Sequence, residues 1–371
     1  MEVVMHRPFA KLALGLALAL VAGMSHAAEP TKGNPKLQSI ESLAFGPEGL
    51  LLIGDGKGAQ IVAVHTEDTT PIEWSKLQQA EIKQQIGSHL NAKSIELVRL
   101  VVNPASNRGY LAVKADGKET ILTLDGSGKV ATFDLSNVKH VRYPLSADGK
   151  ATPIRITDLT YADGRALFAT VAKEGAKIYT VDLRQDGVTP GWVSAETYHV
   201  GHGRWETGSP IRTVIPYVEG GKTYLVGAFT CTPIVKYSLD DVKVGGGKVK
   251  GTSVVELGTG NTPQDMFAYA KDGKNYILMN QMRNNGKPAP GYPTAYWTAK
   301  VEQGILAETE AVNEKAPWRI KGKGNAPVSN RATMVPEFAN VVAMDKLGDD
   351  RALVIQTDDK SGFRLAILPL P

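Results

Sequence analysis

Two histidines three residues apart, His199 and His202, stand in a glycine-flanked segment, YHVGHGRWETGSPIRT, that also carries Trp205, Glu206 and Arg212. Where glycine leaves the backbone free to fold back, imidazoles at this spacing turn toward one point. Imidazole nitrogen suits zinc or copper, and a thiolate favours softer metals still. The chain has one cysteine, Cys231, flanked by Thr230, Thr232 and Pro233. It reads as a small buried apolar side chain, as a third metal ligand, or as a nucleophile with His202 as its base. The plain reading of the histidines is a pair of loop groups hydrogen-bonded to Glu206 or to backbone carbonyls.

A second set of candidates is acidic. Asp158-Leu159, Gln264-Asp265-Met266 and Asn340-Val341 each place a polar acceptor just before an apolar residue at the start of a β-rich run. Carboxylates and amides gathered around an axis suit calcium, a hard cation that takes about six to eight oxygens. The same groups also serve as caps for backbone N–H groups where a strand ladder ends. Ser42 and Arg99 fall at the corresponding places in two other runs. Arg99 departs from a calcium pattern. It and Arg212 either neutralise the acids or grip an anionic substrate in bidentate fashion. Trp205 beside His202 and Asn280 complete the substrate-binding candidates, although aromatic residues also pack between sheets.

The elements that must position these residues are nearly all strands. One segment has helical spacing, Ser75 to Leu90, with Leu77, Ile82, Ile86 and Leu90 on one face. Elsewhere short β-rich runs alternate with Gly, Asp, Asn and Pro in a recurring order of strand, tight turn, strand, polar loop, strand. ITDLTYADGRALFATVAKEGAKIYTVDL is the clearest unit, with Asp163-Gly164 as its hairpin turn. Similar units begin at Ile40, Leu97, Pro210, Pro263 and Phe338. A period of roughly 50 to 60 residues of β-units predicts an all-β, six-bladed β-propeller. The stretch 284–332, rich in Pro, Gly and Asn, is read as a loop insertion in the fifth blade, with a seventh blade as the alternative. The helix at 75–90 is read as an insertion in the first. Blade geometry then sends His199, His202, Cys231, Asp158, Asp265, Asn280 and Asn340 to one face, around a channel mouth.

This blade rhythm, with Asp158, Asp265 and Asn340 at the starts of inner strands, resembles the six-bladed propellers of the gluconolactonase and regucalcin type. The resemblance implies a calcium ion in the central channel, held by such acids and amides. The segment around His199, together with TCTPIVKY, is similar to a group of secreted bacterial propeller proteins, a likeness that implies no activity.

Composition limits the rest. Arg7 and Lys11 precede the apolar run LALGLALALVAGM, and Ser25-His26-Ala27 offers a cleavage site after Ala27. This predicts a signal peptide over 1–27 and a single domain over 28–371, in the periplasm or secreted. The apolar run is shorter than the roughly 20 residues of a membrane span. One cysteine forms no internal disulfide, so a large core must hold the fold. A net charge of +4 over 371 residues, with both signs interleaved, excludes a nucleic-acid groove. The expected function is a divalent-cation site for a small molecule at the channel mouth, with ester or lactone hydrolysis as its chemistry and calcium as its metal. The rival is a non-enzymatic propeller that binds copper, zinc or a periplasmic protein partner of a redox system.

Overall fold

The inner strands of each sheet follow one another closely and pair antiparallel, because Asp-Gly and similar turns at their ends reverse the chain. Asp163 (φ +48°) and Gly164 (φ +70°) take the left-handed conformations that a two-residue hairpin requires. Asp116-Gly117 and Asp272-Gly273 do the same. The computed structural model describes residues 29–371 apart from 76, 78–80, 146–151, 173–174, 186–188, 200–201, 231–232, 259, 284–285, 288–293, 308–331 and 359–361. The leader over 1–27, Cys231 and most of the insertion at 284–332 lie outside the described residues. No helix among the described residues is long and apolar enough to cross a membrane.

Six sheets form a six-bladed β-propeller. Numbered in chain order by their innermost strands, the blades begin at Ser42–Phe45, Ile95–Val102, Arg155–Ala162, Ile211–Glu219, Asn261–Lys271 and Val341–Leu347. The order around the ring differs from the order along the chain. The first blade takes its inner three strands from 42–65 but its fourth, Val138–Pro144, from beyond the second blade, and Thr31–Gly33 pairs outside that. The second blade is thus inserted within the sheet of the first, on the side away from the third.

Six apolar clusters confirm this order, since each joins two neighbouring blades. Leu52 and Ile61 of the first blade pack with Leu159 and Phe168 of the third. The third then meets the fourth, the fourth the fifth, and the fifth the sixth. The sixth closes on the second through Leu353, Ile355, Leu111 and Val113, and the second returns to the first. Sheets face one another through branched side chains, each contributing about 1.5–3 kcal/mol on full burial.

The helix is shorter than its periodicity predicts. It runs over Ile82–Leu90, with the Glu81 carboxylate capping Gln84 N–H at its start. Ser75 and Leu77 precede it without regular structure. Ile82 and Ile86 pack into the junction between the second and sixth blades. Glu81 also bridges to Arg364 on the open edge of the three-stranded sixth blade, so this segment covers that edge.

Candidate functional site

The innermost strands are interrupted near their starts by register shifts, between Leu97 and Arg99, Ile156 and Asp158, Ile211 and Thr213, Pro263 and Met266, and Val341 and Ala343. A bulge of this kind re-aims the extra side chain. The skipped residues Val98, Thr157, Arg212, Gln264, Asp265 and Val342 all line one cavity of about 660 Å³ at the channel mouth.

Beneath the cavity the acids are satisfied by the fold. Arg99 reaches across the axis. Its Nη2 donates to Asp158 Oδ1 at 2.5 Å and its Nη1 donates to Asp265 Oδ1. Asp158 also accepts from Ser42 Oγ, from Thr213 Oγ1 at 2.8 Å and from Val214 N–H at 2.9 Å. Asp265 accepts from Met344 N–H at 3.0 Å, and Asp345 from Val102 N–H at 2.7 Å. Glu41 and Glu119 do the same for Ile156 and Ile40. Five of the six blade junctions therefore carry a carboxylate that accepts a backbone N–H of the neighbouring blade. At the remaining junction, between the fourth and fifth blades, the contact is the apolar cluster of Ile215, Val226, Met266 and Trp297.

The expected calcium ligand set does not assemble. Asp158 and Asp265 come together, but the cation between them is the Arg99 guanidinium. Asn340 lies outside the set: it sits before its strand with φ +62°, and its backbone N–H and carbonyl bond to Tyr296 and Thr357. The residue of the sixth blade in the position of Arg99 and Asp158 is Ala343, and that of the fourth is Thr213. Asn340 lies three residues before Ala343, ahead of the bulge, so matching a polar residue followed by an apolar one set the sixth blade out of register and overlooked Thr213. Asn280 lies within the strand Lys274–Arg283, not in a loop; its amide accepts from Asp265 N–H and donates to Val341 O, tying the fifth blade to the sixth.

Burial pushes the Asp265 carboxyl up to about 6, with the Asp158 charge adding to it against the pull of Arg99. Burial likewise raises Asp345 to about 7. Burial opposes the charge of Arg99, but Asp158 and Asp265 outweigh it and raise its pKa. Arg99 Nε is buried without a hydrogen-bond partner. Arg212, aimed into the cavity by its bulge, has its pKa lowered by burial and by the nearby charges of Arg155 and Arg99.

The histidines form a separate group. The fourth strand of the third blade, Gly191–His199, turns back into Arg204–Glu206, with His202 N–H and Gly203 N–H both donating to His199 O. In this register Thr197 faces Glu206 and His199 faces Arg204, so Thr197, His199 and Glu206 share the face toward the fourth blade. Thr197 meets Tyr237 there. Tyr198 and Trp205 take the opposite face, where Lys250 lies over the Trp205 ring at 4.9 Å. Trp205 is thus packed against strands and is absent from the cavity lining. Gly175 permits the return path: a Cβ there would come within 2.1 Å of Thr207 O.

His199 Nδ1 lies 3.2 Å from Glu206 Oε2, and its Nε2 lies 3.4 Å from Glu256 Oε1 of the fourth blade. His202 Nδ1 lies 2.9 Å from Glu206 Oε1, which also accepts from Arg204 Nε at 2.8 Å. Burial alone would raise the Glu206 carboxyl, but hydrogen bonds from Arg204, His202 and His199 outweigh it and hold it at about 2. His199, His202 and Glu206 offer donor atoms within 4.8 Å of one another and form a candidate metal-binding group. Glu256 was not foreseen from the sequence, because only the meeting of two blades brings it to His199.

The single convergent site expected at the channel mouth is therefore two sites. His199 ends the fourth strand out from the axis; at strand spacings of about 4.8 Å that sets it roughly 14 Å from the inner strand. None of His199, His202 and Glu206 lines the cavity.

No family model matches the chain, and no curated protein matches it. Among solved structures, it is similar to the PQQ-bound aldose sugar dehydrogenase of Streptomyces coelicolor, at 10% identity and a TM-score of 0.34 over 92% of this chain and 99% of that one. It is also similar to the allergen Mala s 1 of Malassezia sympodialis, at 10% identity and a TM-score of 0.36 over 92% and 95%. The catalytic domain of an α-L-arabinofuranosidase from Coprinopsis cinerea matches at 12% identity and a TM-score of 0.35 over 81% and 97%. Likeness at this level carries no argument about activity.

Proposed function

We infer that the protein binds a small organic anion in the cavity at the channel mouth. The observation that carries this reading is Arg212. A β-bulge turns its half-buried guanidinium into the cavity, the charges that act on it there are those of Arg155 and Arg99, and no described residue forms an ion pair with it. Glu41, Glu96, Glu119 and Asp265 also line the cavity, but Asp265 is held by Arg99, and Glu41 and Glu119 accept backbone N–H groups. A guanidinium left without an acid partner beside them favours a carboxylate or phosphate, which it grips through paired N–H donors.

The reading is one of binding. Hydrolysis of an ester or lactone is left out of it, because the histidines expected as bases stand outside the cavity and the acids expected to hold calcium hold Arg99 instead. Placement in the periplasm rests on residues 1–27 alone; intact mass of protein from that fraction should show a chain starting at Ala28.

Calorimetric titration with gluconate, glucose 6-phosphate and neutral glucose tests the cavity. Both anions should bind and glucose should not, with Arg212→Ala weakening the anions at least 10-fold. Equal binding of glucose, or anion binding unchanged in Arg212→Ala, would overturn the proposal.

A further inference from the structure

His199 is buried between two carboxylates that approach opposite edges of its ring, Glu206 at Nδ1 and Glu256 at Nε2. A neutral imidazole has one N–H and one lone pair. If Nε2 carries the proton and donates to Glu256, the Nδ1 lone pair faces the lone pairs of Glu206, and the arrangement lacks a cation at that point. The His202 ring stands 4.0 Å from the His199 ring, with its own Nδ1 beside the other oxygen of Glu206. Arg204 is the nearest cationic side chain paired with the group. It is 73% exposed and meets Glu206 Oε1 from outside rather than entering between the rings.

We propose that His199 Nδ1, His202 Nδ1 and the Glu206 carboxylate bind one divalent first-row transition-metal ion, with Glu256 positioning His199 from behind. Two imidazoles and a carboxylate are a donor set for zinc that leaves its fourth position to water. Glu256 at the far nitrogen of a ligating histidine fixes the tautomer and the ring plane, the usual task of a carboxylate behind a metal-bound imidazole. Bonds of about 2.0–2.1 Å require the donor atoms to draw closer than their present spread of up to 4.8 Å. The group able to move is His202, which is 43% exposed and precedes Gly203, a residue at φ +65° with open space around its Cα. The open position faces solvent on that side. The site is independent of the anion cavity, with which it shares no residue.

The experiment uses untagged full-length protein, stripped with a chelator and titrated with zinc, with cobalt as the spectroscopic substitute. One zinc per chain should bind with submicromolar Kd, and excess calcium should not displace it. His202→Ala should lower affinity at least 100-fold while lowering the metal-free melting temperature only slightly, since His202 is an exposed turn residue whose side chain bonds to Glu206. Glu256→Gln should lower affinity about 10- to 100-fold. Absence of zinc binding, or zinc binding unaffected by His202→Ala, would overturn the assignment. So would a strong thiolate-to-cobalt charge-transfer band, which would put Cys231 in the donor set.

Discussion

The floor of the channel and the hairpin at the rim are built from similar parts with opposite outcomes. At the floor, carboxylates from the third and fifth blades face each other, and the second blade inserts a guanidinium between them. At the rim, carboxylates from the third and fourth blades face each other across an imidazole. The floor carries its own permanent cation and is closed to metals. The rim sets two imidazoles and a carboxylate together, with the Arg204 guanidinium meeting them from outside, and can receive one. Acids near a propeller axis thus predict a metal only when no arginine from another blade can reach them.

The largest test of this contrast is Arg99→Met. Removing the guanidinium leaves two enclosed carboxylates without a counter-charge, a loss of about 3–5 kcal/mol, readable as a lower denaturation midpoint. Adding Asp158→Asn and Asp265→Asn to it should restore a substantial part. A single variant as stable as the parent would break the comparison.

Next in size is the pH response of the floor. The Asp265 and Asp345 carboxyls are raised to about 6 and 7, above the range of an unfolded aspartate, so the native state binds their protons more tightly. Their stabilising contribution is complete below about pH 4 and is lost as pH rises through 6 and 7. Asp345→Asn should flatten the dependence of melting temperature on pH between 5 and 8, and an unchanged slope would place the titrating group elsewhere. Thr213→Val removes one hydroxyl donor from Asp158 and should cost about 1 kcal/mol, whereas substitution of Asn340 by Ser should leave the channel pair intact. At the rim, Trp205→Leu loses the Lys250 contact and should cost roughly 0.5–1 kcal/mol without altering zinc affinity. A loss of affinity there would mean that the outer face of the hairpin shapes the site.

Local chemistry made much of the fold legible. Asp163-Gly164, Asp272-Gly273 and their like marked the hairpins, and the alternation between them marked the sheets. The order of blades was not legible, because it depends on which apolar faces meet after the chain has passed through three further blades. Within the site, His199, His202 and Glu206 lie close in sequence and their association could be anticipated. Arg99 with Asp158 and Asp265, and Glu256 with His199, join residues that only the closed ring brings together. At Asn340 the two-residue pattern was too short to fix the register, since the residue in the place of Asp158 is Ala343, three positions further on.

The insertion of the second blade into the first has a consequence for synthesis on the ribosome. The second blade is finished by Thr132, but its neighbour the sixth begins at Val341. About 200 residues must therefore emerge before Leu111, Val113 and the faces beside them are covered. At 5–20 residues per second an apolar sheet surface stands open for roughly 10 to 40 s. The nascent chain carries that surface as its chief hazard of misassembly, and the segment Glu81 to Leu90, made early, is already attached beside it when the last strand arrives.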